Sequence, residues 1–175
     1  MKALFIPLVV GLLCALHAVG APQTDLKLTS ADFPEGGDIP SRYTCDGANV
    51  SPGLRFHGLP ENTKSLAMLV IDPDAPGGKF THWIAWNIPP ETTEFTAGSV
   101  PNGVAQGMND FGKEGYGGPC PPSGIHRYIF HLYALDFAPR LPSATHRSAF
   151  ENAIKGHVLG EATLTGKYGR EPVAK

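Results

Sequence analysis

The stretch "SLAMLVIDPDAPGGKFTHWIAWNI", residues 65–88, decides the fold. Ser65 to Ile71 are apolar at odd and even positions alike, the pattern of a strand buried on both faces in the middle of a structure. Residues 82–88, "HWIAWNI", repeat that pattern with aromatic and β-branched side chains that suit a packed, pleated surface. Between the two runs, "DPDAPGG" is turn chemistry, with aspartates beside prolines and a glycine pair. A third run, "HRYIFHLYAL" (126–135), has the same character as the first two, and weaker strands are expected at "LKLTS", "GLRFHGL" and "EATLTGKY".

Working outward, 21 glycines and 17 prolines spread along the chain favour short strands and irregular loops over a helical bundle. One helix is expected, from about Thr145 to Leu159, where Phe150, Ile154 and Val158 recur every four residues as an apolar stripe and Ser143 or Thr145 is available as a cap. The sum is a mostly β domain, two packed sheets with one or two peripheral helices. Residues 89–125 form a long glycine-rich connection, and such a connection either serves a function or carries short elements of its own.

At the N-terminus, Lys2 precedes "ALFIPLVVGLLCALHAVGA", a run too short and too promptly followed by polar sequence to span a bilayer comfortably. It reads as a secretory signal peptide, residues 1–20, with Ala18 and Gly20 at the positions that favour cleavage after Gly20. Residues 21–175 then form a single domain that is secreted or periplasmic. Cys14 follows Leu13 rather than a small residue, which argues against a lipid anchor. Cys45 and Cys120 remain, and export makes them a candidate disulfide. The bridge would close a loop of about 75 residues and add roughly 4 kcal/mol on a chain-entropy argument.

A formal net charge of −2, with lysines and arginines scattered, leaves no electrostatic footprint for nucleic acid. No basic amphipathic segment suggests a membrane surface, so membrane contact is at most peripheral. No cofactor motif is present, and "GYGGPCPPSG" (115–124) lacks the lysine and following helix of a phosphate-binding P-loop. Its rigid build suits the wall of a small preformed pocket.

Taken singly, the polar residues around these runs have plain structural readings. Asp72 and Asp74 make a turn, His82 is a histidine among aromatics, and His126 with Tyr128 is aromatic packing. Placement gives them a second reading. Asp72 and Asp74 emerge where a buried strand ends, His82 heads the next strand, and His126 and Tyr128 share one face of the third strand while Arg127 lies on the other. An imidazole and a phenol so placed offer two donors to one phosphate or carboxylate oxygen.

In order along the chain, "YTCDGANVSPGLRFHGLP" (43–60), "DPDAP" (72–76), "HWIAWNIP" (82–89), "QGMNDFGKEGYGGPCPPSGIHRYIFHLYALD" (106–136) and "IKGHVLGEATLTGKY" (154–168) resemble the phosphatidylethanolamine-binding protein family, in its bacterial and archaeal, Raf-kinase-inhibitor-like branch. The resemblance implies a β-sandwich of a large and a small sheet. It also implies an anion pocket at one end formed by Asp72, His82, Pro121, His126 and Tyr128, with Asp74 supporting the wall. The acids would orient the imidazoles and favour their charged form, and one could meet an ammonium on the ligand. The C-terminal helical extension of eukaryotic members is missing after "GKYGREPVAK", so properties tied to it do not transfer.

The function expected is an exported, non-enzymatic binder of a small anion or a phosphorylethanolamine-like phospholipid headgroup, with a regulatory role. Bacterial relatives suggest a homodimer; no protein partner is identified. Two other classes fit the residue types. One is a metal-assisted phosphoester hydrolase in which Asp72, Asp74, His82 and His126 hold a divalent ion. The other is a secreted protease inhibitor or protein-interaction module.

Overall fold

A computed structural model describes residues 25–170. The expected signal peptide, residues 1–20, lies outside them. The strands are β1 Lys27–Thr29, β2 Leu54–His57, β3 Ser65–Asp72, β4 Phe80–Ile88, β5 Glu94–Phe95, β6 Ala105–Gln106, β7 Gly124–Leu135 and β8 Val158–Arg170. A 3-10 turn spans Ser41–Tyr43, and the helix α1 is Arg147–Ile154. A small sheet, ordered β1-β2-β5, faces a large one ordered β6-β4-β3-β7-β8, and the pairings within both are antiparallel.

Every residue of β3 is buried, and alternation explains it. Leu66, Met68 and Val70 face the core between the sheets; Ala67, Leu69 and Ile71 face a second cluster closed by Phe150 and Ile154 of α1. A strand that packs on both faces must be apolar at both parities. β4 follows the same scheme with two interruptions. Leu66 pairs with Ile88 but Met68 with Ala85, and the extra residue is absorbed at Asn87, whose φ is 58°. That bulge returns Ile88 to the inter-sheet core alongside Trp83 and Ala85. The second interruption falls at His82 and belongs to the site.

The helix is shorter than the apolar stripe suggests. It ends at Ile154, Gly156 turns the chain at φ 83°, and Val158 opens β8, where it is exposed. Glycine in the left-handed region is a common helix stop, and it cuts the four-residue repeat before its third member. The expected cap also differs: His146 stands at that position without a side-chain bond, while Thr145 Oγ1 donates to the Pro142 carbonyl. Within the long connection, β5 completes the small sheet and β6 lies at the edge of the large one. Cys45 and Cys120 are bridged, with Cα atoms 5.4 Å apart.

Candidate functional site

The antiparallel pairing of β3 with β7 brings the end of one beside the start of the other. Asp72 closes β3, and its Oδ2 accepts from His126 Nδ1 at 2.7 Å. Its Oδ1 accepts the backbone N–H of Asp74 at 2.8 Å, so the turn after the strand holds the carboxylate in place. On the other side of β3, Val70 pairs with Trp83 and Ile71 with Thr81, which leaves His82 as the extra residue of a bulge. A bulge re-aims a side chain that alternation would otherwise fix. Here the ring packs edge-to-face on Tyr128 and Phe111 and tilted on Phe80, with centroids 5.1, 5.3 and 5.2 Å away.

His82 is fixed by a reciprocal pair of bonds to the glycine-rich loop. Its Nδ1 donates to the Gly117 carbonyl at 2.7 Å, and the Gly117 N–H donates to the His82 carbonyl at 2.8 Å. The loop is itself tied down. Gly118 N–H donates to Asn49 Oδ1, Tyr116 Oη to the Tyr43 carbonyl, and Cys45 N–H to the Pro119 carbonyl, beside the disulfide. A Cβ on Gly118 would stand 2.4 Å from the Tyr43 carbonyl oxygen, so only glycine fits there.

These elements enclose a cavity of about 160 Å³. Asp72, His82 and His126 supply its polar wall; Ala75, Pro76, Phe80, Phe111 and Pro122 supply the apolar one, with the bridged Cys120 between. With both Nδ1 atoms engaged, the two Nε2 atoms make no hydrogen bond among the described residues. Both rings line the cavity, whereas the Nε2 of His131 is sealed without a partner among the described residues. Burial lowers the His82 pKa, against the opposing pull of the Gly117 carbonyl and the Asp72 carboxylate. A larger, more open hollow of about 340 Å³ lies where Gly124 and Ile125 meet Tyr168 and Arg170. It has no imidazole, and Arg170 is already paired with Asp46.

Three of the residues expected from sequence lie off the cavity wall in the structure. Asp74 does not line the cavity. Its carboxylate forms a two-point pair with Arg127, at 2.9 and 2.7 Å, and accepts the Arg127 N–H, because alternation turns Arg127 to the outer face. The guanidinium holds the Asp74 pKa down to about 2. Tyr128 is fully buried two residues deeper along β7, behind the His82 ring, and burial followed by the Asp72 charge raises its pKa. The Cys120 backbone lies near its hydroxyl without a hydrogen bond of ordinary geometry. Pro121 is buried, and Pro122 takes its place on the wall.

Two wall residues went unread in the sequence, Phe80 and Phe111. Phe111 was legible as a lone aromatic at the tip of "NDFG". Asn109 builds that tip, its buried Oδ1 accepting the N–H groups of Phe111 and Lys113. The four residues of the metal reading do not converge, since Asp74 is drawn away to Arg127. No group of three or more His, Cys, Asp or Glu placed to hold a metal ion occurs among the described residues.

Residues 29–169 match the family model described as phosphatidylethanolamine-binding protein. The UPF0098 protein of Methanothermobacter thermautotrophicus is 50% identical over 150 residues, covering 83% of this chain and 99% of that one. The corresponding protein of Pyrococcus horikoshii is 44% identical over 183 residues, 98% of this chain and 91% of its own. Among solved structures, a phosphatidylethanolamine-binding protein homologue of Chlamydia trachomatis superposes with a TM-score of 0.81 at 36% identity, covering 85% of this chain and all of that one. YbcL of Escherichia coli, a member of the mammalian PEBP family, gives 0.79 at 33% identity, covering 83% and 99%. With the two-sheet fold and the end-on cavity already in place, this chain belongs to the phosphatidylethanolamine-binding protein family.

Proposed function

We propose that the protein is an exported, non-enzymatic binding protein whose cavity takes a small anion: phosphate, a carboxylate or a phosphorylated headgroup. One observation carries this reading. Two imidazoles spend Nδ1 on the protein, one on a carbonyl and one on a carboxylate, and both Nε2 atoms are without a hydrogen-bond partner among the described residues at a single cavity. When both rings carry a proton at Nε2, two donors meet one ligand.

The lowered pKa of His82 adds a condition. A neutral ring that donates Nδ1–H to Gly117 presents a lone pair at Nε2, which repels an anion. The anion therefore arrives with a proton, either on its own oxygen or by charging the ring. Family membership supports a binding role, and the wall offers no serine or threonine hydroxyl and no free thiol as a nucleophile. Export is supported by the apolar N-terminal run and by the disulfide, which suits an oxidising compartment. Among the described residues no helix is long and apolar enough to cross a membrane.

The test is an NMR titration of the His82 and His126 ring protons with inorganic phosphate. Saturable shifts of both rings with one affinity are expected. If neither ring responds at millimolar phosphate, the anion site is wrongly placed.

A further inference from the structure

The disulfide meets the cavity at one of its two ends. Cys120 lines the wall and Cys45 does not. Both residues are partly exposed, so the bridge is within reach of small solutes. Disulfides exchange when a thiolate attacks one sulfur and the other leaves, and the surroundings of each sulfur decide which is which.

The two surroundings differ. Arg170 Nη2 donates to Cys45 Sγ at 2.8 Å, while the same guanidinium pairs with Asp46. A cation in contact stabilises a thiolate, which makes Cys45 the better leaving group. Asp46 offsets part of that charge, but the N–H aimed at the sulfur remains, and the carboxylate repels a thiolate approaching Cys45. At the Cys120 end, an arriving thiolate enters a cavity that holds two imidazoles, where the carboxylate of the wall, Asp72, is already bonded to His126.

We propose that Cys120 is a thiolation site: a low-molecular-weight thiolate enters the ligand cavity, attacks Cys120 Sγ and displaces Cys45. A bond forms between the incoming sulfur and Cys120, the Cys45–Cys120 bond breaks, and its electron pair stays on Cys45 Sγ beside Arg170. The products are one mixed disulfide and one thiolate, with no net oxidation. The Cys45 N–H still holds the Pro119 carbonyl, which keeps the released thiolate near enough to close the bridge again. A bound anion and the thiol exclude each other, so the ligand protects the bridge. That protection rests on the anion-site reading above; the choice of sulfur does not.

The test mixes the disulfide-bonded protein with β-mercaptoethanol at fixed ionic strength, at a pH below the second ionisation of phosphate so that the anion brings its own proton. N-ethylmaleimide then caps the released thiol, and peptide mapping by mass spectrometry locates both groups. The mercaptoethanol adduct is expected on Cys120 and the maleimide on Cys45, by about tenfold over the reverse. Inorganic phosphate at about ten times its Kd slows exchange about tenfold, because only the empty cavity admits the thiol. Arg170→Gln slows it about fivefold, whereas loosening of the Cys45 turn alone would speed it up.

An adduct chiefly on Cys45, or none, overturns the proposal. So does exchange that is not slowed by phosphate when phosphate shifts both imidazole rings. If phosphate neither shifts the rings nor slows exchange while the adduct forms on Cys120, the anion site falls and the thiolation site stands. An unchanged or faster rate in Arg170→Gln overturns the part given to Arg170.

Discussion

Strand β7 carries the same chemical pair twice. His126 donates Nδ1–H to Asp72 at 2.7 Å, and five residues on, His131 bonds Glu161 at the same distance. The odd step puts the two rings on opposite faces of the sheet. Side-chain exposure is 10% and 5% for the first pair, 19% and 46% for the second. The larger difference is at the second nitrogen. His126 Nε2 belongs to a ring that lines the cavity, whereas His131 Nε2 is sealed without a partner beside the stacked ring of Tyr133. A histidine–carboxylate pair is thus no mark of a site in itself; what matters is where the unpaired nitrogen lies.

Breaking the scaffold around one pair and not the other gives the largest effect. Replacing Cys45 and Cys120 by serine is expected to cost roughly 4 kcal/mol, about 10 °C in Tm for a domain of this size, read by thermal denaturation. The NMR signals of His82 and His126 shift, because the loop holding Gly117 is released; those of His131 stay. Movement of all three rings would mean that the bridge holds the whole sheet.

A smaller effect sharpens the comparison directly. Asp72→Asn, which removes the charge and keeps the shape, is expected to weaken phosphate binding by about tenfold, since the charge-assisted bond that orients His126 is lost. Glu161→Gln leaves phosphate affinity within about twofold, because nothing connects that pair to the cavity. Comparable losses in both would place the determinant in net charge rather than in ring orientation.

The smallest effect concerns pH and belongs to His82. Its pKa is lowered in the fold, so between that value and the unfolded value of about 6.5 the unfolded chain binds more protons. The stability of the empty protein therefore falls as pH drops through that window. A bound anion reverses the sign by favouring the charged ring. Sulfate, whose charge is constant there, is expected to bind severalfold more tightly as pH falls through the window, and His82→Gln flattens the profile. An unchanged profile in that variant would assign the proton elsewhere.

The strands of the fold were legible because β3, β4 and β7 are apolar at both parities, and few other placements bury them. The two bulges were not, since Asn87 and His82 break an alternation that sequence reading takes as unbroken. Val158 misled for a related reason: a four-residue repeat registers apolar spacing but not the glycine that ends the helix. At the site, Asp72, His82 and His126 were legible from strand ends. Asp74 holds the Asp72 carboxylate through its amide, while its own carboxylate goes to Arg127, a partner more than fifty residues away in the chain. Phe80 was missed because an apolar wall carries no chemical signature until its neighbours are known, and Phe111 because a lone aromatic in a turn does not say which cavity it faces.

The loop that builds the cavity also closes the large sheet. Gly107, Asp110 and Gly117 donate their amides to the carbonyls of Ile84, Thr81 and His82, along the side of β4 that β6 covers only at Ala85 and Trp86. An unpaired strand edge of this length, rich in tryptophan and isoleucine, invites pairing with another chain and aggregation. Changes made in this loop to alter the ligand therefore act on solubility too, and drift toward new specificity is confined to side chains, with the three amides held in place.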